Sequence, residues 1–314
     1  MTDDIIRIRV SFDRKFKEAS YALVTTAWED ELDELFQEER TRIQAKDVVC
    51  EEKEDALIFH TTALKLVMKK QPIQFLLYDA EGKLIYNDLK ERAFDQDQLG
   101  RVTHYSEIHA DTDHFYGFGE KTGHLDKKGR HLRMSPKDAI GADPEFGEPL
   151  YKHVPFYIRV NEENLHALGL FYNNSYDAVF DMGNERSGYW DSYCYYQADG
   201  GDIDLFLING PKMASVLERY TYLTGRQAMP RSSLSDTQLL RCITQSWNRI
   251  VTKRFTKSFR NILMRRFILI ISGWQADTLQ EKKTTCVTYL TGIRRDSRTR
   301  KDSLRRWSRR WASM

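Results

Sequence analysis

The sequence has few of the features that place a protein in a class at once. Its 314 residues hold four cysteines, and no two of them form a Cys-x-x-Cys pair. The first residues contain no charged-then-apolar signal segment, and no apolar run is long enough to span a membrane. These absences argue against a disulfide framework, a zinc ribbon and a membrane partner. We therefore expect free thiols and a cytoplasmic location.

The histidines and glycines also lack the spacing of a metal or phosphate site. No helical pair with a spacing of four residues can be recognised among His104, His109, His114, His124, His131 and His153. No β-α-β pattern surrounds the neighbouring glycines, so roles in turns and bulges are favoured for Gly117, Gly119, Gly123 and Gly129. We expect no metal and no cofactor.

Charge is divided unevenly along the chain. Residues 1–230 hold 28 Lys and Arg against 41 Asp and Glu, whereas residues 231–314 hold 20 against 5. A part of net charge −13 is thus joined to a part of net charge +15. Such asymmetry suggests a nucleic-acid partner, and the arginines near Trp307 and Trp311 could contact phosphates beside stacking rings. A nucleic-acid-binding protein with a basic tail is therefore one alternative.

Short strand patterns dominate the first 230 residues. Ile6, Ile8 and Val10 alternate with arginines, which is typical of a half-buried strand. Two apolar runs flank a turn in which Gly82 would supply the positive φ of a hairpin. Further strands are predicted at 56–60, 74–78, 84–86, 115–118, 155–160, 167–172, 178–181, 193–197 and 203–208. Many short strands separated by turn residues predict an antiparallel β-sandwich or barrel.

One helix follows these strands. Pro211 suits a first helical position, and Gly225 suits a stop. Between them an apolar stripe at helical spacing indicates core packing and consists of Val216, Leu217, Tyr220 and Leu223. Residues 30–42, rich in Glu and Leu, are compatible with a short helix or with an acidic loop.

A series of short motifs between about residues 100 and 230 resembles one enzyme family. The stretch Tyr116–Gly123 is similar to the Tyr-Gly-Phe-Gly-Glu strand and turn of glycoside hydrolase family 31, the α-glucosidase family. The motifs that follow in matching order are 126–130, 138–139, 149–152, 154–157, 169–175, 180–183, 204–211, 218–220, 223–226 and 229–230. No single motif is diagnostic, but their number and order make the match specific.

The resemblance implies a fold and an activity. In this family an N-terminal β-sandwich, galactose-mutarotase-like, precedes a (β/α)8 barrel of about 250 residues that carries two catalytic carboxylates about 5–5.5 Å apart. We expect residues 1–225 to form the sandwich, and residues 226–314 to be an incomplete, poorly ordered barrel remnant. The Trp-x-Asp-Met-Asn-Glu type of nucleophile motif does not occur in the sequence, so we assign no catalytic residue.

Residues after Pro230 also have the character of a shifted reading frame. Suitable codons for residues 240–248, read from the third base, give Thr-Met-Tyr-Tyr-Thr-Glu-Leu-Glu, which is similar to the opening of the family's barrel. Residues 291–301 in the same phase give Trp-Asn-Lys-Glu-Arg-Phe-Pro-Asp-Pro-Glu, which again resembles the family. We interpret the basic residues as a result of the frameshift, so we expect no specific nucleic-acid partner.

Asp138 is the candidate substrate-binding residue. In the resembled family an Asp on this loop reaches the substrate sugar, and a carboxylate accepts strong hydrogen bonds from hydroxyl groups; the competing interpretation is an Asp that caps a turn. Glu120 is interpreted as structural. The aromatic run from Tyr189 to Tyr196 could stack on sugars, but we interpret it as core and sheet-face packing.

The function expected from this reasoning is that of an inactive fragment of a retaining α-glucosidase-like glycoside hydrolase. Its ligand would be an α-glucoside or oligosaccharide, bound weakly because the sandwich supplies only one wall of the pocket. A stand-alone carbohydrate-binding β-sandwich is the second alternative. Because the surface that faces the barrel would be exposed, we also expect self-association.

Overall fold

The computed structural model describes the greater part of the first 226 residues as a mainly antiparallel β-sandwich with one helix. The described residues are 2–13, 16, 20–29, 32–33, 40–43, 48–139, 141–143 and 145–226. The expected barrel remnant at 226–314 lies outside them, except for Arg226.

The strands are short and follow one another closely. The first eight are β1 (Ile5–Val10), β2 (Thr25–Thr26), β3 (Thr41–Arg42), β4 (Val49–Glu52), β5 (Ala56–His60), β6 (Leu64–Lys70), β7 (Ile73–Asp79) and β8 (Leu84–Asn87). They are followed by β9 (Phe94–Gln96), β10 (Val102–Glu107), β11 (Asp113–Gly119), β12 (His131–Met134), β13 (His153–Asn161), β14 (Ala167–Tyr172), β15 (Ala178–Asp181), β16 (Tyr193–Ala198) and β17 (Ile203–Asn209). The helix α1 is Met213–Thr224.

Three five-stranded antiparallel sheets build the sandwich. The first sheet has the order β1-β17-β14-β13-β11, the second β12-β15-β16-β10-β9, and the third β4-β5-β6-β7-β8. A bridge between Asp88 and Ser106 joins the third sheet to the second. Strands β2 and β3 form a separate parallel pair.

The central strands of the first sheet are buried on both faces. Its inner face packs in the main core against the second and third sheets, while α1 lies on its outer face. Val216 and Leu223 of α1 are fully buried, and Tyr220 stacks on Phe156 with ring centroids 3.8 Å apart. All residues of β14 and β17 are therefore buried, which explains why β14 and residues 205–208 of β17 do not alternate between apolar and polar.

The structure confirms most of the strands predicted from sequence. Strands β14 and β15 have the predicted bounds, and Gly82 turns the β7–β8 hairpin with φ of 80°. Gly225 follows α1 with φ of 89°. The position predicted for Pro211 is wrong: α1 begins at Met213 with Lys212 as N-cap, so Pro211 lies outside the helix.

Other strands were not predicted. Strands β2, β4, β6, β9, β10 and β12 are absent from the sequence-based prediction. Of the segment 30–42, for which a helix and a loop were left open, Thr41 and Arg42 form β3, and most of the remainder lies outside the described residues.

A polar network lies inside the core where the three sheets meet. His104 is fully buried; its Nδ1 lies 2.9 Å from the Tyr172 hydroxyl and its Nε2 lies 3.0 Å from Asp88 Oδ1. Tyr86 donates its hydroxyl to the same Asp88 oxygen, and burial raises the pKa of Tyr86. Buried polar groups need such partners. His104 is thus a satisfied core histidine.

Candidate functional site

The loop that carries Asp138 connects the second sheet to the first. It leaves the end of β12 and returns at the start of β13, so it spans residues 135–152. The Lys137 amide donates to the Leu150 carbonyl at 3.2 Å, which brings the two arms of the loop together. We call residues 135–152 the Asp138 loop.

A buried ion pair holds the base of the Asp138 loop. Lys121 Nζ lies 3.0 Å from Glu148 Oε2, and only 1% and 14% of the two side chains are exposed. Lys121 also donates to the Arg133 carbonyl, and Glu148 accepts from the Thr122 amide. Burial lowers the pKa of Lys121, and Glu148 opposes that shift. A buried charge pair with additional hydrogen bonds is costly to break, so this base is firmly placed.

His153 completes the base in its neutral form. Its Nδ1 lies 3.1 Å from Lys121 Nζ and its Nε2 lies 2.9 Å from the Leu150 carbonyl oxygen. The lysine ammonium can only donate, so Nδ1 accepts and the Nε2–H group donates to Leu150. Burial, and then the positive charge of Lys121, lowers the pKa of His153. These hydrogen bonds therefore require the neutral form of His153, which predominates at neutral pH.

Two glycines let β11 approach the returning arm of the loop. A Cβ atom at Gly119 would lie 2.6 Å from the Lys152 carbonyl oxygen, and one at Gly117 would lie 2.7 Å from the Phe156 carbonyl oxygen. Both residues have positive φ, and the β11–β13 register shifts between them. Phe118, which lies between them, is fully buried. The glycines of the Tyr-Gly-Phe-Gly-Glu motif thus serve a bulge, as predicted.

The two loop aspartates have different roles. Asp143 Oδ1 accepts from the amides of Glu145 and Phe146, both at 2.8 Å, so Asp143 closes a turn. Asp138 is exposed and accepts one hydrogen bond, from the Tyr151 hydroxyl to Oδ1 at 2.8 Å. Within the described part of the chain Oδ2 of Asp138 has no hydrogen-bond partner. One oxygen is therefore held in place while the other faces solvent.

Two exposed apolar side chains lie on the Asp138 loop and on a turn next to it. Phe146 of the loop is 70% exposed. The neighbouring turn approaches the loop, because a Cβ atom at Gly123 would lie 3.1 Å from the Glu145 carbonyl oxygen, and that turn carries Leu125, which is 79% exposed. A loop that carries an exposed carboxylate and an exposed aromatic ring offers groups for a ligand with hydroxyl groups and an apolar surface.

Glu120 contacts the last residue of the Asp138 loop, Lys152. Its amide donates to the Lys152 carbonyl, and its carboxylate lies 3.8 Å from Lys152 Nζ in an exposed ion pair. This agrees with the structural interpretation of Glu120. The groups that position Asp138, namely Lys121, Glu148, Tyr151 and His153, were not identified from sequence as site residues, because their contacts exist only after folding.

The described residues contain no group of three or more His, Cys, Asp or Glu side chains arranged to hold a metal ion. Within the same residues, no helix has the length and apolarity needed to cross a membrane.

Comparison with known proteins identifies the family. The model of the glycosyl hydrolase 31 N-terminal galactose mutarotase-like domain matches residues 1–181. The chain therefore belongs to the glycosyl hydrolase 31 family, and the β-sandwich is that N-terminal domain. This confirms the family and the fold class expected from the sequence motifs.

Two of the similar proteins are named alpha-glucosidases. Alpha-glucosidase 2 of Bacillus thermoamyloliquefaciens is 35% identical over 185 residues, which is 59% of this chain and 22% of that protein. An alpha-glucosidase of Saccharolobus solfataricus is 34% identical over 118 residues, which is 38% of this chain and 16% of that protein. The chain thus spans at most about a fifth of these relatives.

Solved structures show the same fold. A family 31 dextranase of Flavobacterium johnsoniae in complex with glucose matches with a TM-score of 0.67 at 23% identity, over 87% of this chain and 31% of the dextranase. A cycloalternan-forming enzyme of Listeria monocytogenes matches with a TM-score of 0.61 at 14% identity, over 86% of this chain and 23% of that enzyme.

Proposed function

We propose that the β-sandwich forms one wall of the substrate site of an α-glycosidase, and that Asp138 binds a hydroxyl group of the sugar. The observation that carries this proposal is the exposed Asp138 carboxylate, which Tyr151 orients on a loop held by a buried ion pair. A fixed carboxylate loses little freedom when it accepts a hydroxyl, and its charge strengthens the hydrogen bond.

The substrate class of the proposal is α-linked glucosides. Support comes from two relatives above 30% identity that are named alpha-glucosidases. A third, the alpha-xylosidase XylQ of Lactiplantibacillus pentosus, is 31% identical over 116 residues, which is 37% of this chain and 13% of that protein. Glucose and xylose differ by one hydroxymethyl group, so the competing substrate is an α-xyloside.

The proposal also holds that this chain is catalytically inactive. A retaining glycosidase needs a nucleophile and an acid/base carboxylate about 5–5.5 Å apart. The family's nucleophile motif does not occur in the 314 residues, and none of the carboxylates described above takes that role. Incubation of the full chain with an aryl α-glucoside should release no phenol beyond the no-enzyme control. Turnover above that control would overturn the inactivity.

Sugar binding at the Asp138 loop can be located by amide chemical shifts. We expect maltose, titrated into the full chain, to shift amides of residues 137–151 with an affinity in about the millimolar range, because one wall supplies few contacts. Asp138→Asn keeps the acceptor for Tyr151 but removes the charge, so it should reduce these shifts. Asp143→Asn, the same change in the same loop, should retain them.

The stand-alone carbohydrate-binding sandwich makes a different prediction in this titration. A complete pocket would give submillimolar binding that depends on Asp138. Such a result would favour this second function over the one-wall proposal. No shift at 137–151 in the wild-type chain would contradict both.

Self-association is part of the same proposal. Phe146 of the Asp138 loop and Leu125 of the neighbouring turn expose apolar surface, and exposed apolar surface favours association. Sedimentation velocity of the full chain should show a weight that rises with concentration. Phe146→Ser should reduce this rise. Leu165 is also apolar and is 73% exposed but lies outside the Asp138 loop, so Leu165→Ser is the control and should not reduce it. Equal behaviour of both variants would count against this surface.

A further inference from the structure

The outer face of the second sheet carries an ordered group of aromatic rings. His104 of β10 and Tyr196 of β16 point into the core and are fully buried. Because side chains alternate along a strand, the residues next to them point outwards. Tyr105 and Tyr195 are direct cross-strand partners with ring centroids 5.5 Å apart, and Tyr193 lies 5.9 Å from Tyr105.

Three residues from the connections enlarge this group. The guanidinium of Arg92 lies 4.7 Å from the ring centroid of Tyr105 and 5.2 Å from that of Trp190. Tyr189 meets Trp190 edge-on at 5.6 Å and is 80% exposed. We call this surface the aromatic face, formed by Arg92, Tyr105, Tyr189, Trp190, Tyr193 and Tyr195.

Charged groups border the aromatic face. Burial and a hydrogen bond with the Glu185 carboxylate raise the pKa of Tyr193 to about 12. Asp181 Oδ1 accepts from the Glu185 amide at 3.1 Å, which fixes the turn that presents this exposed carboxylate. On the other side Arg92 donates to Asp95 Oδ2 at 3.1 Å. Strong donors and acceptors therefore stand beside the rings.

We propose that the aromatic face is a binding site for a saccharide, separate from the Asp138 loop. A pyranose has an apolar C–H face and a rim of hydroxyl groups. An exposed ring such as Tyr189 can cover the apolar face, while Glu185 and Arg92 hydrogen-bond the hydroxyls. The sequence-based interpretation of this aromatic run as packing holds for Tyr193 and Tyr196, which are 4% and 1% exposed, but not for Tyr189.

The charges of the aromatic face distinguish a saccharide from a protein partner. The core of a protein interface is depleted of Asp and Glu, although Tyr, Trp and Arg are enriched there. This surface holds Arg92, Asp95 and Glu185 around its rings. A ligand with many hydroxyl groups can hydrogen-bond to these charged side chains and leave them partly solvated. A flat apolar protein surface could do neither.

The test is a residue-resolved maltose titration of the full chain up to about 50 mM, a range that detects millimolar binding. We expect saturable shifts for amides of residues 92–107 and 185–197. Tyr189→Ala should weaken this binding by about fivefold to thirtyfold, the usual effect of losing an aromatic anchor. Tyr21→Ala, at a residue 81% exposed, is the matched control and should leave it unchanged.

Other results of the titration would overturn the saccharide proposal. Saturable shifts confined to residues 137–151 would support the Asp138 proposal and overturn this one. Absence of shifts at the aromatic face, or shifts equally strong in Tyr189→Ala, would also overturn it. Loss of a concentration-dependent oligomer in Tyr189→Ala without any maltose shift at this face would assign the surface to a second copy of the chain instead.

Discussion

A buried ion pair within the first sheet, which is hydrogen-bonded to the second sheet, gives a quantitative prediction. Arg159 Nη2 of β13 lies 2.5 Å from Asp113 Oδ2 of β11, and 8% and 0% of the two side chains are exposed. Arg159 also donates to the Glu107 carbonyl in the second sheet at 2.9 Å. The Asp113 carboxylate accepts from the His109 amide at 2.7 Å and from Asn161 at 3.1 Å. The pair therefore links the first sheet to the second.

Asp113→Ala would leave the Arg159 charge buried without its partner. Breaking a buried pair from one side costs about 3–5 kcal/mol, against a total of about 5–15 kcal/mol for a domain. With an m-value of about 3 kcal/mol/M, the urea midpoint should fall by about 1–1.7 M. Urea unfolding of the full chain, followed by circular dichroism, measures this midpoint.

A surface pair supplies the control for this prediction. Lys70 Nζ lies 2.8 Å from Glu52 Oε1, with 32% and 73% of the side chains exposed. Exposed pairs contribute little, so Glu52→Ala should leave the midpoint unchanged. If Asp113→Ala moved the midpoint no further than Glu52→Ala, the view of Arg159 as a buried charge that joins the layers would be refuted.

Three further predictions concern pH and packing. Burial and a neighbouring lysine lower the pKa of His153. Its contribution to stability is therefore present above about pH 6.5 and declines as the pH falls below that value. His153→Gln should lower the melting temperature more at pH 8 than at about pH 5.5. Hydrogen bonds to carboxylates raise the pKa of His114, so its contribution to stability is present below about pH 6.5 and is lost as the pH rises through the raised pKa. His114→Gln should lower the melting temperature more at pH 6 than at about pH 8.5. The reverse order for either histidine variant would contradict the direction assigned to its pKa. A Cβ at Gly169 would lie 2.5 Å from Val216 Cγ1 of α1, so Gly169→Ala should destabilise by about 1–3 kcal/mol in urea unfolding, with partial recovery in Gly169→Ala/Val216→Ala. Additive losses in that double variant would show that the clash does not arise at α1.

Strands with strong local signals could be predicted from the sequence. Strands β14 and β15 have clear apolar patterns and flanking turn residues, and their bounds were predicted. Strand β10 could not be predicted, because it places His104 and Ser106 in the core. The partners of these two residues come from distant segments, namely Tyr172 and Cys194, and no local pattern announces them.

The candidate sites also differ in how far the sequence predicts them. Asp138 could be named because a family resemblance marked its loop, but the Lys121–Glu148 pair joins residues 27 positions apart and has no local signal. The aromatic face shows a further limit. The strand period separates the inward Tyr196 from the outward Tyr195, yet only the fold brings Arg92 over Trp190.

The central claim is that the sandwich of this family 31 protein supplies a sugar-binding carboxylate at Asp138. The most direct test compares the amide shifts of residues 137–151 during maltose titration of the wild-type chain, Asp138→Asn and Asp143→Asn. The account predicts saturable shifts in the wild type and in Asp143→Asn, and their loss or marked weakening in Asp138→Asn. Shifts of equal size and affinity in all three proteins, or none in the wild type, would contradict it.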